Sequence, residues 1–298
     1  MDNFGPLYSF LSSLTWALGV SVYSRLATHT APTTINWTRV ALAWPVFVFA
    51  AWLEAGSFLS LVHAILDLDF SFWILLSASV LCSYAAADVV FMKATQSLGA
   101  PTALAIASVY PVWSALLGSW VNKQSLSALQ WMGLLAVVAG VSYVVMCDRK
   151  ETKKISWFGV LAALAVSLLW SANTWALGQL GSDHSMSTIN VCRMGLAILL
   201  LPMIHRILRE DRSIFVRGRD LKRFGVVFLV EAAAGAFFFV QGLALSPLAV
   251  GAALSSLAPV LVVPLAVLSG SASPTDYKKI PAIVIVVLGL MGLLVVVP

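Results

Sequence analysis

Apolar runs of membrane-spanning length, cut apart by Pro, Gly and charge, occupy nearly the whole of this 298-residue chain. A helix crosses the hydrocarbon layer in about 20 such residues. Ten runs qualify: 5–25, 32–53, 70–93, 101–121, 126–147, 155–178, 186–205, 222–245, 248–268 and 278–297. Only residues 54–69 and 206–221 remain as connections long enough to carry a surface element. In the first, Phe58, Leu61, Val62, Ile65 and Leu66 recur at helical spacing beside His63, Asp67 and Asp69, which predicts a helix along the membrane surface. The chain is 60% apolar and 10% charged, against about 45–50% and 25% in soluble domains. One core cannot hide that much apolar surface beneath a wettable exterior, so a soluble enzyme is excluded. Disordered, collagen-like and nucleic-acid-binding chains need other compositions. The expected class is an all-α integral membrane protein. Cys82, Cys147 and Cys192 lie in or beside apolar runs without paired spacing or a His partner, which predicts neither a disulfide framework nor a metal site. Met1-Asp2-Asn3 has no basic character and no small-residue cleavage site closes the first run, so that run reads as a retained span.

Charge gives the orientation. Eleven of the 18 Lys and Arg residues fall in the connections after the fifth and seventh runs, between Arg149 and Lys154 and between Arg206 and Arg223. Arg25, Lys93, Lys278 and Lys279 share that side, whereas Lys123 alone takes the other. Basic residues gather on the cytoplasmic face. Both termini are therefore expected outside, in a bacterial plasma (inner) membrane. The basic stretch 206–223 reads as a cytosolic stop signal, not as a nucleic-acid or lipid-specific site.

The sequence also repeats itself at an offset of 154. Phe4-Gly5, Ser13-Leu14, Trp16 and Thr34-Ile35-Asn36-x-x-Arg39 return as Phe158-Gly159, Ser167-Leu168, Trp170 and Thr188-Ile189-Asn190-x-x-Arg193. With small gaps, Tyr84-Ala-Ala-Ala-Asp88 aligns with Glu231-Ala-Ala-Ala-Gly235, and Ser108 to Val112 with Ser256 to Val260. Residues 1–150 and 151–298 thus read as two five-helix units. Five is odd, so the second unit enters the membrane from the opposite side, the inverted-repeat plan of many secondary transporters.

These residues resemble the EamA-type branch of the drug/metabolite transporter superfamily over essentially the whole chain. The resemblance rests on the five-plus-five layout, Trp16 and Trp170, Pro32 followed by Arg39, the Pro-Val pairs at 111 and 259, and the Gly133 and Gly140 helix. It implies ten helices, with the first four of each half around a central cavity and the fifth and tenth peripheral. Small metabolites, often amino acids, would move by alternating access. Gln124 and Ser273 stand where the family commonly has Glu, and many relatives are drawn with both termini inside.

Charge at mid-helix costs about 2.5–3.5 kcal/mol on insertion scales, so the residues that bear it need a reason. Asp88 and Glu231 are the only acids deep in apolar runs. Glu231 shares a stripe with Gly235, Phe238 and Gly242, beside Gln241; Asp88 shares one with Ser77, Leu81 and Tyr84. Two roles compete for Glu231: binding a substrate ammonium or a proton, and closing a buried ion pair. Asp88 has Lys93 as a local alternative. Arg39 and Arg193, three to seven residues inside their runs, suit snorkelling or capping, against a gating or substrate-carboxylate role. Trp16 lies with Ser9, Ser12, Ser13 and Tyr23, and Trp170 with Ser167, Ser171 and Thr174. Both indoles, with Tyr84, Tyr110, Trp113, Ser171, Gln241 and Ser256, are candidate cavity residues, although small hydroxyl residues also pack membrane helices. Trp52, Trp73, Trp120 and Trp157 sit near span ends as interface anchors. Pro111 and Pro259 are expected inside helices, as gates or fixed kinks. Gly133, Gly140, Gly289 and Gly292 offer close helix approach or a dimer seam.

The sequence therefore points to a secondary transporter, monomeric or homodimeric, exporting amino acids or related amines. No P-loop is present, so a gradient supplies the energy, with a proton as one candidate. No cofactor and no nucleic-acid partner is expected. A hydrophobic-cation exporter or a flippase for lipid-linked substrates shares the same fold. A membrane-embedded enzyme is the remote rival, since Asp183-His184 beside Ser182 and Ser185 is the one close acid-His pair and no HExxH accompanies it.

Overall fold

The structure is a computed structural model that describes residues 4–26, 30–98, 100–147, 156–210, 213–268 and 278–294. Helices and short connections make up all of them, without a strand. In chain order the helices are α1 (Gly5–Leu26), α2 (Pro32–Ala55), α3 (Phe58–Leu66), α4 (Phe70–Val80), a π-helical turn (Leu81–Ala85), α5 (Ala86–Leu98), α6 (Ala100–Ala107), α7 (Tyr110–Trp120), α8 (Ala128–Cys147), α9 (Trp157–Asp183), α10 (Met186–Ile207), α11 (Gly218–Ala244), α12 (Leu248–Ser255), α13 (Ala258–Leu268) and α14 (Ile280–Leu294).

Six stretches among the described residues are long and apolar enough to cross a membrane: α2, α6 with α7, α8, α9, α10 and α11. The bent pair of α3 with the α4 rod makes a seventh if counted as one span. That is fewer than the ten runs read from the sequence. Hydroxyl residues Ser9, Ser12, Ser13 and Thr15 dilute α1, while Leu248–Leu261 and α14 are apolar but short. Residues 54–69 carry a helix, α3, turned by 91° from the rod that follows. Leu61 is its buried residue; Phe58, Leu59 and Leu66 are exposed.

Two expectations about the prolines need correction. Pro111 and Pro259 do not interrupt continuous helices; each is the second residue of a new segment, α7 or α13, where the absent N–H has no helical partner to lose. The breaks lie just before them. Ser108 there donates to the Leu104 carbonyl at 2.8 Å, and the corresponding Ser256 to Ala253 at 2.7 Å. Tyr110 ties the two breaks together, its hydroxyl donating to the Ala252 carbonyl at 3.0 Å. Tyr110→Phe should remove about 1 kcal/mol. A fall of a few degrees in the apparent melting midpoint in detergent would report it. The interior prolines are Pro45, Pro202 and Pro264. Pro202 frees the Ile198 carbonyl four residues back, and the Trp37 indole takes it at 3.1 Å. Trp44 likewise donates to Val191 at 3.0 Å, which fixes α2 antiparallel to α10.

The contacts also follow the repeat. A Cβ on Gly5 would meet the Leu245 carbonyl, and one on Gly159 would meet the Leu98 side chain. Gly5 and Gly159 are one offset apart, and Leu98 and Leu245 are related by the shift that aligns Tyr84 with Glu231. Each half's first helix thus leans on the third helix of the other half. Gln124 spans the halves too, its Oε1 accepting the Leu248 N–H at 3.0 Å to cap α12, so an amide does there what an acid would. Ser273 lies outside the described residues. Gly133 and Gly140 face Gly289 and Ala282 across the α8–α14 contact, so close approach is used within one chain.

Candidate functional site

Two guanidinium groups dominate the polar interior, at corresponding positions of the two halves. Arg39 on α2 donates from Nε to Glu231 Oε2 at 2.8 Å and from Nη2 to Oε1 at 2.6 Å, the two-pronged geometry that suits a carboxylate. Its Nη1 reaches Asn36 Oδ1 at 3.2 Å, and its Cζ lies 5.0 Å from the centroid of the Trp16 ring. Glu231 is buried and Arg39 nearly so. Arg39 neither snorkels nor caps a helix end, because α11 presents a counter-charge at its level. Desolvating either ion alone costs several kcal/mol, so each depends on the other.

Arg193 on α10 is only 5% exposed and is held differently. Its Nε donates to Ser79 Oγ at 3.1 Å, and its Nη2 to Ser83 Oγ at 3.3 Å and Asn173 Oδ1 at 3.4 Å. The Tyr84 ring lies 4.9 Å from its Cζ. Ser79 passes its own proton to Asn173 at 2.7 Å, and Ser83 to the Ser79 carbonyl at 2.7 Å, so both hydroxyls turn lone pairs to the guanidinium. Ser83 and Tyr84 belong to the π turn. Such a turn rotates the residues after it and is frequent at functional sites. The equivalent helix, α11, runs from 218 to 244 as one α-helix. The two halves thus differ where Glu231 aligns with Tyr84.

The remaining candidates divide between these clusters and the packing between helices. Trp170 sits against Phe91 and edge-on to Tyr110, with centroids 5.7 and 6.0 Å apart. Ser171 accepts from Ser114 at 3.2 Å, and Ser167 from Trp113 at 2.9 Å, so these hydroxyls join α7 to α9. Tyr110 and Ser256 spend their hydroxyl protons on backbone carbonyls at the helix breaks. Gln241 is half-buried, ten residues from Glu231 on α11 and so about 15 Å along the axis from it. The Asp88 side chain lies outside the described residues. Trp52, Trp73, Trp120 and Trp157 are exposed. Sequence reasoning missed Ser79, Ser83 and Asn173 as partners of Arg193. Asn36 and Asn190 stood in the repeat three residues before each Arg, which was their signal.

A cavity of about 680 Å³ opens where α4, the end of α7 and α9 meet. Asp69, Asn122, Trp175, Gln179, Asp183 and His184 line it, above Phe72 and Leu180. Trp175 and Gln179 both donate to Asn122 Oδ1, at 3.2 and 2.8 Å. The His184 ring packs edge-on to Phe72 with centroids 4.8 Å apart, which gives it a structural place. Among the described residues no group of three or more His, Cys, Asp or Glu is placed to hold a metal ion.

The EamA-like transporter family model matches residues 3–146 and 157–295. The chain belongs to that family. A crystal structure entitled "Crystal structure of protein" matches with a TM-score of 0.76, covering 98% of each chain at 18% identity, which establishes the fold alone. No curated protein matches the sequence. As an EamA-like protein the chain is a multi-pass membrane transporter of small molecules, with a two-repeat all-α fold, in a family of transporters and not of enzymes.

Proposed function

We propose that this EamA-like protein is a secondary transporter of amino acids or related amines, working by alternating access. The observation that carries the proposal is the matched pair of buried Arg clusters on α2 and α10, helices that pack antiparallel across the two halves. Charge is kept in a membrane interior when it serves a polar path. In this reading the chain has ten spans in two inverted units, 1–150 and 151–298, around a central cavity. Both termini lie outside a bacterial inner membrane, because the basic residues crowd the opposite side. Arg39 and Glu231 form a pair that opens as the helices move, freeing Glu231 for a substrate ammonium or a proton. Trp16, Trp170, Tyr84 and Tyr110 supply apolar and cation–π walls. The helix breaks just before Pro111 and Pro259 flex as gates.

A second reading, export of hydrophobic cations or flipping of lipid-linked substrates, draws on an apolar groove of about 330 Å³ between α7 and α9, lined by Trp113, Leu116, Leu117, Trp120, Leu168 and Ser171. Counterflow separates the two. Proteoliposomes loaded with unlabelled amino acids should take up the labelled species well above vesicles loaded with buffer, and Glu231→Gln should change that uptake and its dependence on pH. Counterflow only of lipophilic cations would favour the second reading. Unchanged transport and pH profile in the variant would remove Glu231 from the mechanism.

A further inference from the structure

The two Arg clusters are built alike but are not charged alike. Arg39 has the Glu231 carboxylate and braces its Nη1 on Asn36. Arg193, at the equivalent position, has only hydroxyl, amide and aromatic partners among the described residues. Its Nη1 takes part in none of those bonds. Asn190, the counterpart of Asn36, is fully buried, gives its Nδ2 to the Met186 carbonyl at 3.0 Å, and leaves Oδ1 with no donor among the described residues. Among the described residues, one turn of α10 therefore carries a cation with no counter-charge and a spare Nη1 and, three residues away, a buried acceptor without a donor. An acceptor-rich monoanion satisfies the first, and a donor beside it on the same molecule satisfies the second.

We infer that Arg193 and Asn190, backed by Ser79, Ser83 and Tyr84, form a substrate subsite for a carboxylate bearing a neighbouring amino or hydroxyl group. The inference rests on the transport reading above and narrows its substrate to acids of that kind. A single guanidinium balances one negative charge, so it matches one carboxylate group, whereas a phosphate dianion brings one charge more than it can balance. With Nε and Nη2 held by Ser79, Ser83 and Asn173, Nη1 is the group left to meet a carboxylate oxygen. The π turn supports the assignment, since it sets Ser83 and Tyr84 beside the guanidinium in one half only.

A route to the subsite is visible in the helix register. The large cavity is lined by Phe72 and Leu75 of α4 and by Trp175 and Leu180 of α9. The next turns inward present Leu76 and Leu177, both fully buried, and the turns after those present Ser79 and Asn173. Leu76 and Leu177 thus stand between that cavity and the Arg193 cluster.

The test uses the full-length protein in proteoliposomes with matched probes: L-phenylalanine, its amide, and phenethylamine, which lacks the carboxyl carbon. Wild type should exchange the acid and reject the amide and the amine by about tenfold or more, the scale of one lost charge-assisted contact. Arg193→Gln should abolish that preference, and Arg193→Lys should restore part of it. Asn190→Ala is the second variant, for the case in which Arg193→Gln does not fold. It should raise the KM for the acid about tenfold without equalising acid and amide. Melting midpoints in detergent check that each variant is folded. Exchange of the amine and amide as readily as the acid overturns the subsite while leaving a transporter in place. Discrimination that survives in folded Arg193→Gln, or an unchanged KM in Asn190→Ala, also overturns it. Failure of every probe, acid included, counts against both the subsite and the amino-acid reading, whereas exchange of lipophilic cations in the same vesicles spares transport itself.

Discussion

Glu231→Ala should cost about 3–5 kcal/mol, because it leaves the Arg39 guanidinium desolvated without its counter-charge. Arg39→Ala should cost a similar amount by stranding the carboxylate. Replacing both at once, as in Arg39→Met with Glu231→Leu, should recover most of the loss, since an apolar pair of similar volume avoids the desolvation penalty altogether. The measurement is the apparent melting midpoint of the purified protein in detergent, taken for both single variants and the double variant. A double variant as unstable as the sum of the singles would show that the two residues do not act as a pair. The same set addresses mechanism. If the pair only braces the bundle, the recovered double variant transports; if Glu231 must be released to meet substrate, the double variant is stable and inactive. Trp16 adds to the pair from the Arg39 side, so Trp16→Leu should weaken stability by a smaller step, of about 0.5–2 kcal/mol.

The Arg39–Glu231 pair also shows where reading the sequence stopped. The two residues are 192 positions apart, and periodicity assigns each to a helix face without saying which faces meet. Arg39 looked like a helix-end residue because it lies only seven places inside its run. A stronger signal was available in the repeat. Tyr84 aligns with Glu231, and in an inverted pair the second helix of one half meets the third helix of the other, which brings α2 to α11. The apolar runs, the helix α3 and the close approach at Gly133 and Gly140 were legible because each depends on local pattern alone. The breaks at 108–109 and 256–257 were not, because proline marks the neighbourhood of an interruption without distinguishing an interior kink from a first turn. The π turn has no sequence signature at all, yet it places Ser83 and Tyr84 against Arg193.

Gly133→Leu should prevent recovery of folded protein, since the backbone of α14 occupies the space a side chain would need. A Cβ at residue 133 would meet the Gly289 carbonyl oxygen, and it would stand 2.6 Å from Leu293 N and 3.0 Å from Gly292 C. Those are main-chain atoms of a packed helix, and they cannot swing aside as a side chain can. Even Gly133→Ala should cost about 1–3 kcal/mol by forcing α8 and α14 apart. Gly292 makes the comparison sharp. It faces the same seam, but a Cβ there would find its nearest neighbours at 3.5 and 3.6 Å, ordinary contact distances. Gly292→Ala should therefore be neutral or stabilising by up to about 1 kcal/mol, the helix-propensity gain of Ala over Gly. Melting midpoints of the two Ala variants should shift in opposite directions or, at the least, differ by several degrees. A dimer seam would behave otherwise: Gly133→Ala would then change the mass measured by light scattering and leave the midpoint almost unmoved. Destabilisation at unchanged mass is expected, because α14 has only 15 residues and holds its place through the glycine contact with α8.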